Sequence, residues 1–189
     1  MKLASSSAQN AITGVRRIMH SIHFIAVKAS DKEEAFDTVQ GELSNKDYKI
    51  ADWSDWHVVG GGRWSTTGSI YEDNDTDVIS YDENPEMFAN AINQAKEWRL
   101  EAFKWDLQNF KPDELMANAN EFLQNGGTHS KPDNRFSMNY FYAKNVAEAL
   151  AGYYTSNSHF YDLANHTTNM EYVLDNPKGF YLVPVDFHH

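Results

Sequence analysis

Apolar positions fall in short dense runs at the two ends of the chain and recur every three or four residues through its middle. Ile22 to Lys28, "IHFIAVK", has the length and β-branched content of a buried strand, and Ser30 with Glu33 forms a capping box for a following helix. Ala35, Phe36, Val39 and Leu43 then keep helical spacing until Ser44, Asn45 and Asp47 end it. Trp53 to Val59 predicts a second strand, Gly60 to Gly62 a turn or bulge, and Arg63 to Tyr71 a returning strand, so this region reads as a hairpin. A short strand over Val78 to Tyr81 interrupts the acidic loop that follows.

At Asn84 the period changes. Asn84 caps, Pro85 suits the first turn, and Phe88, Ala91, Ala95, Trp98, Ala102 and Trp105 line one face of a long helix ending near Phe110. Pro112 opens a second helix carrying Leu115, Ala119, Phe122 and Leu123, which stops at Asn125 to Gly127; these two are expected to pair antiparallel. Phe136, Tyr140, Ala143, Ala147 and Leu150 define a third, closed by Gly152. An irregular aromatic stretch, "YYTSNSHFYDL", comes next, then a short helix capped by Thr168 with Glu171, a turn at Asn176 to Gly179, and a closing strand from Phe180 to Phe187. Pro184 argues that this last strand lies at an edge or carries a bulge. The order β-α-β-β, helical block, β predicts an α+β fold, a ferredoxin-like split β-α-β sheet with an inserted helical block over about 85–152. Residues 1–18 read as a flexible extension ahead of one domain spanning 19–189.

Composition narrows the function classes. The formal net charge of -11 repels a phosphate backbone, so general nucleic-acid binding is not expected. The chain has no cysteine, which removes thiol nucleophiles and fits a reducing cytoplasm. It also shows neither a secretion-type apolar run nor a membrane-spanning one.

Candidate chemistry concentrates in "SDWHVVGGGRWS", Ser54 to Ser65. Gly60, Gly61 and Gly62 permit positive φ and close backbone approach, so that amides face an anion while Arg63 supplies a two-pronged donor and Trp53, Trp56 or Trp64 stacks on a base. The same residues equally describe a hairpin bulge whose tryptophans pack the sheet against helices. Tyr154, His159 and Tyr161 add the flat rings and polar atoms that small-molecule pockets use. Asp186 and His188 share a face of the closing strand and are the start of a metal site, with His57, His159 and His166 available to complete it, although no paired-histidine motif joins them. Asp73 to Asp77 imitates a calcium loop, but Val78 and Asn84 replace its glycine and glutamate.

The segments "HFIAVKASDKEEAF", "SDWHVVGGGRWS" and "GFYLVPVDFHH" together resemble a family of bacteriophage proteins with a D-W-x-x-x-G-G-R-W type hairpin and a terminal V-D-F-H strand; this chain carries one extra glycine. The resemblance spans 19–189 and implies a phage accessory role in the cytoplasm of an infected bacterium. The expectation is a non-catalytic, homo-oligomeric protein without a cofactor that sequesters a nucleotide-derived small molecule such as a host immune signal. The alternatives are an interaction module that inhibits a host enzyme, and a metal-dependent phosphoester hydrolase.

Overall fold

The computed structural model describes residues 20–45, 53–65, 77–128 and 138–188. The expected extension at 1–18, the calcium-like run at 73–76 and Phe136 lie outside them. The elements follow as β1 (His20–Lys28), α1 (Lys32–Ser44), β2 (Trp56–Val59), a 3-10 turn (Gly62–Trp64), β3 (Ile79–Ser80), α2 (Pro85–Asn109), α3 (Pro112–Gln124), α4 (Met138–Ala151), β4 (Phe160–Asp162), α5 (Met170–Asp175) and β5 (Phe180–His188).

The fold is α+β around one mixed sheet of five strands in the order β2-β5-β1-β4, with β3 also on β5. β1 and β5 pair antiparallel over their whole lengths, from His20 opposite His188 to Lys28 opposite Phe180. β4 joins the far side of β1 in parallel. On the other side of β5, β2 pairs with Val185–His188 and β3 with Tyr181–Leu182, so the two short strands share one edge. β1 and β2 both run antiparallel to the strand between them, whereas β4 is parallel to its neighbour.

β5 is an interior strand, so of the two outcomes expected from Pro184, an edge position or a bulge, the edge position is ruled out. The Gly60 amide donates to the Pro184 carbonyl at 2.8 Å, so the proline's backbone faces the gap between β2 and β3 and not β1. Its missing N–H therefore breaks no β1–β5 hydrogen bond. The hairpin is also replaced: β2 takes β5 as its partner, and Gly62–Trp64 forms a 3-10 turn where a returning strand was expected, residues 66–76 lying outside the description.

Alternation along β1 and β5 divides the core between two sheet faces. Phe24, Ala26, Phe180 and Leu182 meet Phe88, Ala91, Ile92 and Ala95 of α2 and Met170 and Val173 of α5. Ile25, Val27, Val183, Val185 and Phe187 meet Ala35 and Val39 of α1. The caps sit one residue from their expected places: Asp31 accepts from the Glu34 amide at the start of α1, and Asn169 from the Tyr172 amide at the start of α5. In each case the next residue along is the one whose side chain reaches an unpaired first-turn amide.

The helical block departs further from its apolar pattern. α2 leaves the sheet after Trp98, whose ring lies parallel to Phe24, and Trp105 is half exposed. Packing joins α2 and α3 each to α4 in place of the expected α2–α3 pair. α3 buries no residue, and α4 buries Asn139, Asn145 and Val146 while Tyr140 and Leu150 face outward. The reason is polar: Asn139 accepts from the Lys111 amide at 2.7 Å and donates to its carbonyl at 3.0 Å, satisfying backbone left open between two helices.

Candidate functional site

At one end of the sheet, strand register places Trp56, His188 and His20 side by side across β2, β5 and β1. The Trp56 ring stacks on His188 at 5.1 Å with 8° between planes, and His188 meets His20 edge-on at 4.9 Å. Behind this row lies Asp186, 1% exposed. Its Oδ1 is 2.9 Å from His20 Nδ1, and its Oδ2 takes the Arg63 amide at 3.3 Å and has Arg63 Nε at 3.7 Å. A buried carboxylate is costly unless paired in this way. Trp64 borders the group, its ring 6.5 Å from His20, and both Trp56 and Trp64 are exposed.

The three glycines serve this carboxylate. All are buried with positive φ, and a Cβ on Gly62 would stand 2.7 Å from Asp186 Cβ and 2.8 Å from its Oδ2. The backbone is bare because Asp186 lies directly beneath it. Four amides of this stretch are already used: Gly60 N–H goes to Pro184, Arg63 N–H to Asp186, and the Trp64 and Ser65 amides turn back to Gly61 and Gly62. What remains outward is the Arg63 side chain, about half exposed, in the cluster that Trp56 and Trp64 border.

The opposite sheet face carries a second ring cluster. His23 is fully buried, stacked on Trp53 at 5.1 Å and edge-on to Phe187 and Tyr154. Its Nε2 lies 3.2 Å from the Ser156 carbonyl and 3.1 Å from Ser21 Oγ, and its Nδ1 lies 3.0 Å from the Tyr154 hydroxyl. A neutral ring that donates from Nε2 to the carbonyl and accepts Tyr154 O–H at Nδ1 satisfies all of these groups. Burial, and then the adjacent Tyr161, pushes the Tyr154 phenol well above its ordinary value.

The residues singled out in the sequence therefore separate. Trp56, Gly60, Gly61, Gly62, Arg63 and Trp64 come together with Asp186 and His188. Tyr154 and Tyr161, whose rings are 4.6 Å apart, lie behind the sheet among core residues and do not join them. His159 sits at the entrance to β4 with φ 55°, its Nδ1 donating to the Ile22 carbonyl at 2.9 Å. His57 faces Phe187, and His166 neighbours the Tyr161 hydroxyl, both away from Asp186. Among the described residues no group of three or more His, Cys, Asp or Glu is arranged to hold a metal ion.

His20 is the member that sequence reading misses. Starting β1 at Ile22 leaves it outside the strand, and its partner is 166 positions away. The alternation His20, Ile22, Phe24 was the available signal, since it puts His20 on one face of an extended strand.

A separate small cavity lies between α2, α4 and the loop before β4, lined by Arg99, Phe103, Asp106, Asn145, Asn157 and Ser158. Burial pushes the Asp106 carboxyl up to about 6, while the Asn145 and Asn157 amides pull against it. Asn157 Nδ2 donates to Asp106 Oδ2 at 2.7 Å, which ties the loop to the helix.

No protein-family model, curated protein or solved structure matches the chain. No described helix is long and apolar enough to cross a membrane.

Proposed function

We propose that the chain binds a planar, anionic small molecule derived from a nucleotide at the Trp56–Arg63–Trp64 surface. One observation carries this reading: two exposed tryptophans border His20, whose partner Asp186 is a buried carboxylate that also has the half-exposed Arg63 guanidinium 3.7 Å away. Indole faces stack on bases without demanding a particular one, and the rest of the guanidinium is suited to a phosphate. Tyr154, His159 and Tyr161 contribute nothing to this surface. In a phage accessory role, which the sequence resemblance supports, such binding sequesters a nucleotide signal in the host cytoplasm. Calorimetry with cyclic nucleotides and ADP-ribose derivatives tests it. Binding that weakens by roughly 1.5–3 kcal/mol in Arg63→Ala is expected; absence of heat from every compound removes the reading.

A second reading, self-association or capture of a protein partner, is favoured by the exposed apolar residues of the helical block, among them Met116, Leu123 and Leu150. Light scattering over a dilution series decides the self-association part. A mass of 21.6 kDa at every concentration rejects a homo-oligomer.

A further inference from the structure

We propose that this surface also cleaves its ligand, with His20 as general base and His188 as general acid acting on a ribonucleotide phosphodiester. The inference rests on the binding reading above and adds a reaction to it.

The two histidines face each other across β1 and β5 but are anchored differently. Asp186 takes His20 Nδ1 at 2.9 Å, which places the ring proton on Nδ1 and leaves Nε2 with its lone pair. Among the described residues Nε2 has no hydrogen-bond partner. His188 has the Asp55 carboxylate 3.4 Å from its Nδ1 and the flat face of Trp56 stacked at 5.1 Å. The 3.4 Å contact lacks hydrogen-bond alignment and acts through charge. His20 takes the proton-accepting role through its open Nε2, and its neighbour His188 the donating role.

Among the described residues the cluster offers no hydroxyl nucleophile: its side chains are His20, His188, Asp186, Arg63 and two tryptophans, and Ser65 Oγ donates to Asp77 at 2.7 Å. The substrate must bring its own nucleophile, and a ribose 2′-hydroxyl beside a 3′-phosphodiester does so. His20 Nε2 accepts the 2′-hydroxyl proton as the 2′ oxygen forms a bond to phosphorus. The bond from phosphorus to the 5′ oxygen breaks, and that oxygen takes the proton of His188. The products are a 2′,3′-cyclic phosphate and a free 5′-hydroxyl, with His20 now protonated and His188 neutral; proton exchange with water resets both. Arg63 faces the charge on the phosphoryl oxygens.

The test uses the full chain with cytidylyl-(3′,5′)-adenosine and its 2′-deoxy analogue, following binding by calorimetry and products by phosphorus NMR. The ribose compound is expected to give a 2′,3′-cyclic phosphate, and the deoxy compound to bind and stay intact. His20→Gln and His188→Gln should each slow cleavage roughly 100-fold or more while changing affinity only a few-fold. His188 is the less enclosed of the two, so its variant carries the test if His20→Gln does not fold. A ribose compound that binds and remains intact overturns the reaction and leaves the binding site standing. Cleavage that persists in His188→Gln also overturns it, as does failure of both compounds to bind, which leaves the binding reading to the calorimetry with cyclic nucleotides and ADP-ribose derivatives.

Discussion

The two ring clusters at one end of the sheet are built from the same materials and reach opposite states. Behind the sheet, His23 is enclosed by Trp53, Phe187 and Tyr154, and both of its nitrogens meet hydrogen-bonding atoms of the core. In front, His20 is anchored through one nitrogen, and its tryptophan neighbours remain exposed. Aromatic and histidine content alone does not distinguish a site from a core. The difference lies in which polar atoms and ring faces the fold has already used.

The comparison predicts that changes behind the sheet cost stability and changes in front cost binding. Phe187→Ala attacks the enclosed cluster, where the ring is fully buried, and is expected to lower unfolding free energy by about 3–5 kcal/mol in urea denaturation. A loss below 1 kcal/mol would show that this cluster is not closed core. Gly62→Ala comes next, because it combines a left-handed φ of 48° with a Cβ placed on Asp186. A cost of about 2–4 kcal/mol is expected from strain and overpacking together. Retention of wild-type stability would separate the glycine from the carboxylate.

Asp106 sharpens the contrast from a third place. Asp186 has a histidine and a guanidinium within reach, whereas Asp106 is met by amides. Its folded-state pKa is raised from 3.8 to about 6, so the folded chain holds this proton more tightly than the unfolded one. The resulting stabilisation is present below about pH 4 and is lost as pH rises to about 6. Asp106→Asn keeps an acceptor for Asn157, and is expected to raise stability at neutral pH with a gain that vanishes toward pH 4. A difference between the two proteins that is flat with pH would contradict this assignment. Arg63→Ala closes the series with the smallest effect on folding, within about 0.5 kcal/mol by thermal or chemical denaturation. A larger loss would make Arg63 part of the scaffold of Asp186 more than a ligand group.

Legibility from sequence followed how local each decision was. The starts of α2 and α5, the stop after α3, the placement of β1 and β5 and the short β3 all rest on residues within a few positions of one another. β4 was missed because three residues in an irregular aromatic stretch carry no period, and only pairing with Phe24 to Ala26 makes them a strand. The exposed faces of α3 and α4 were misread because apolar spacing shows that a helix has a stripe and not what covers it.

By itself the sequence determined the α+β class, the bulk of the elements, and the gathering of glycine, arginine and tryptophan at 53–65, since each follows from propensity and spacing along a short stretch. Tertiary structure alone decided that β5 is interior, that Pro184 faces a gap, that Tyr154 and Tyr161 lie behind the sheet, and that His20 meets Asp186. Those outcomes depend on strand register, and a shift of a single residue would exchange the two faces. The energy that sets it comes from burying one face of β5 against α1 and the other against α2, a choice that no local stretch of chain contains.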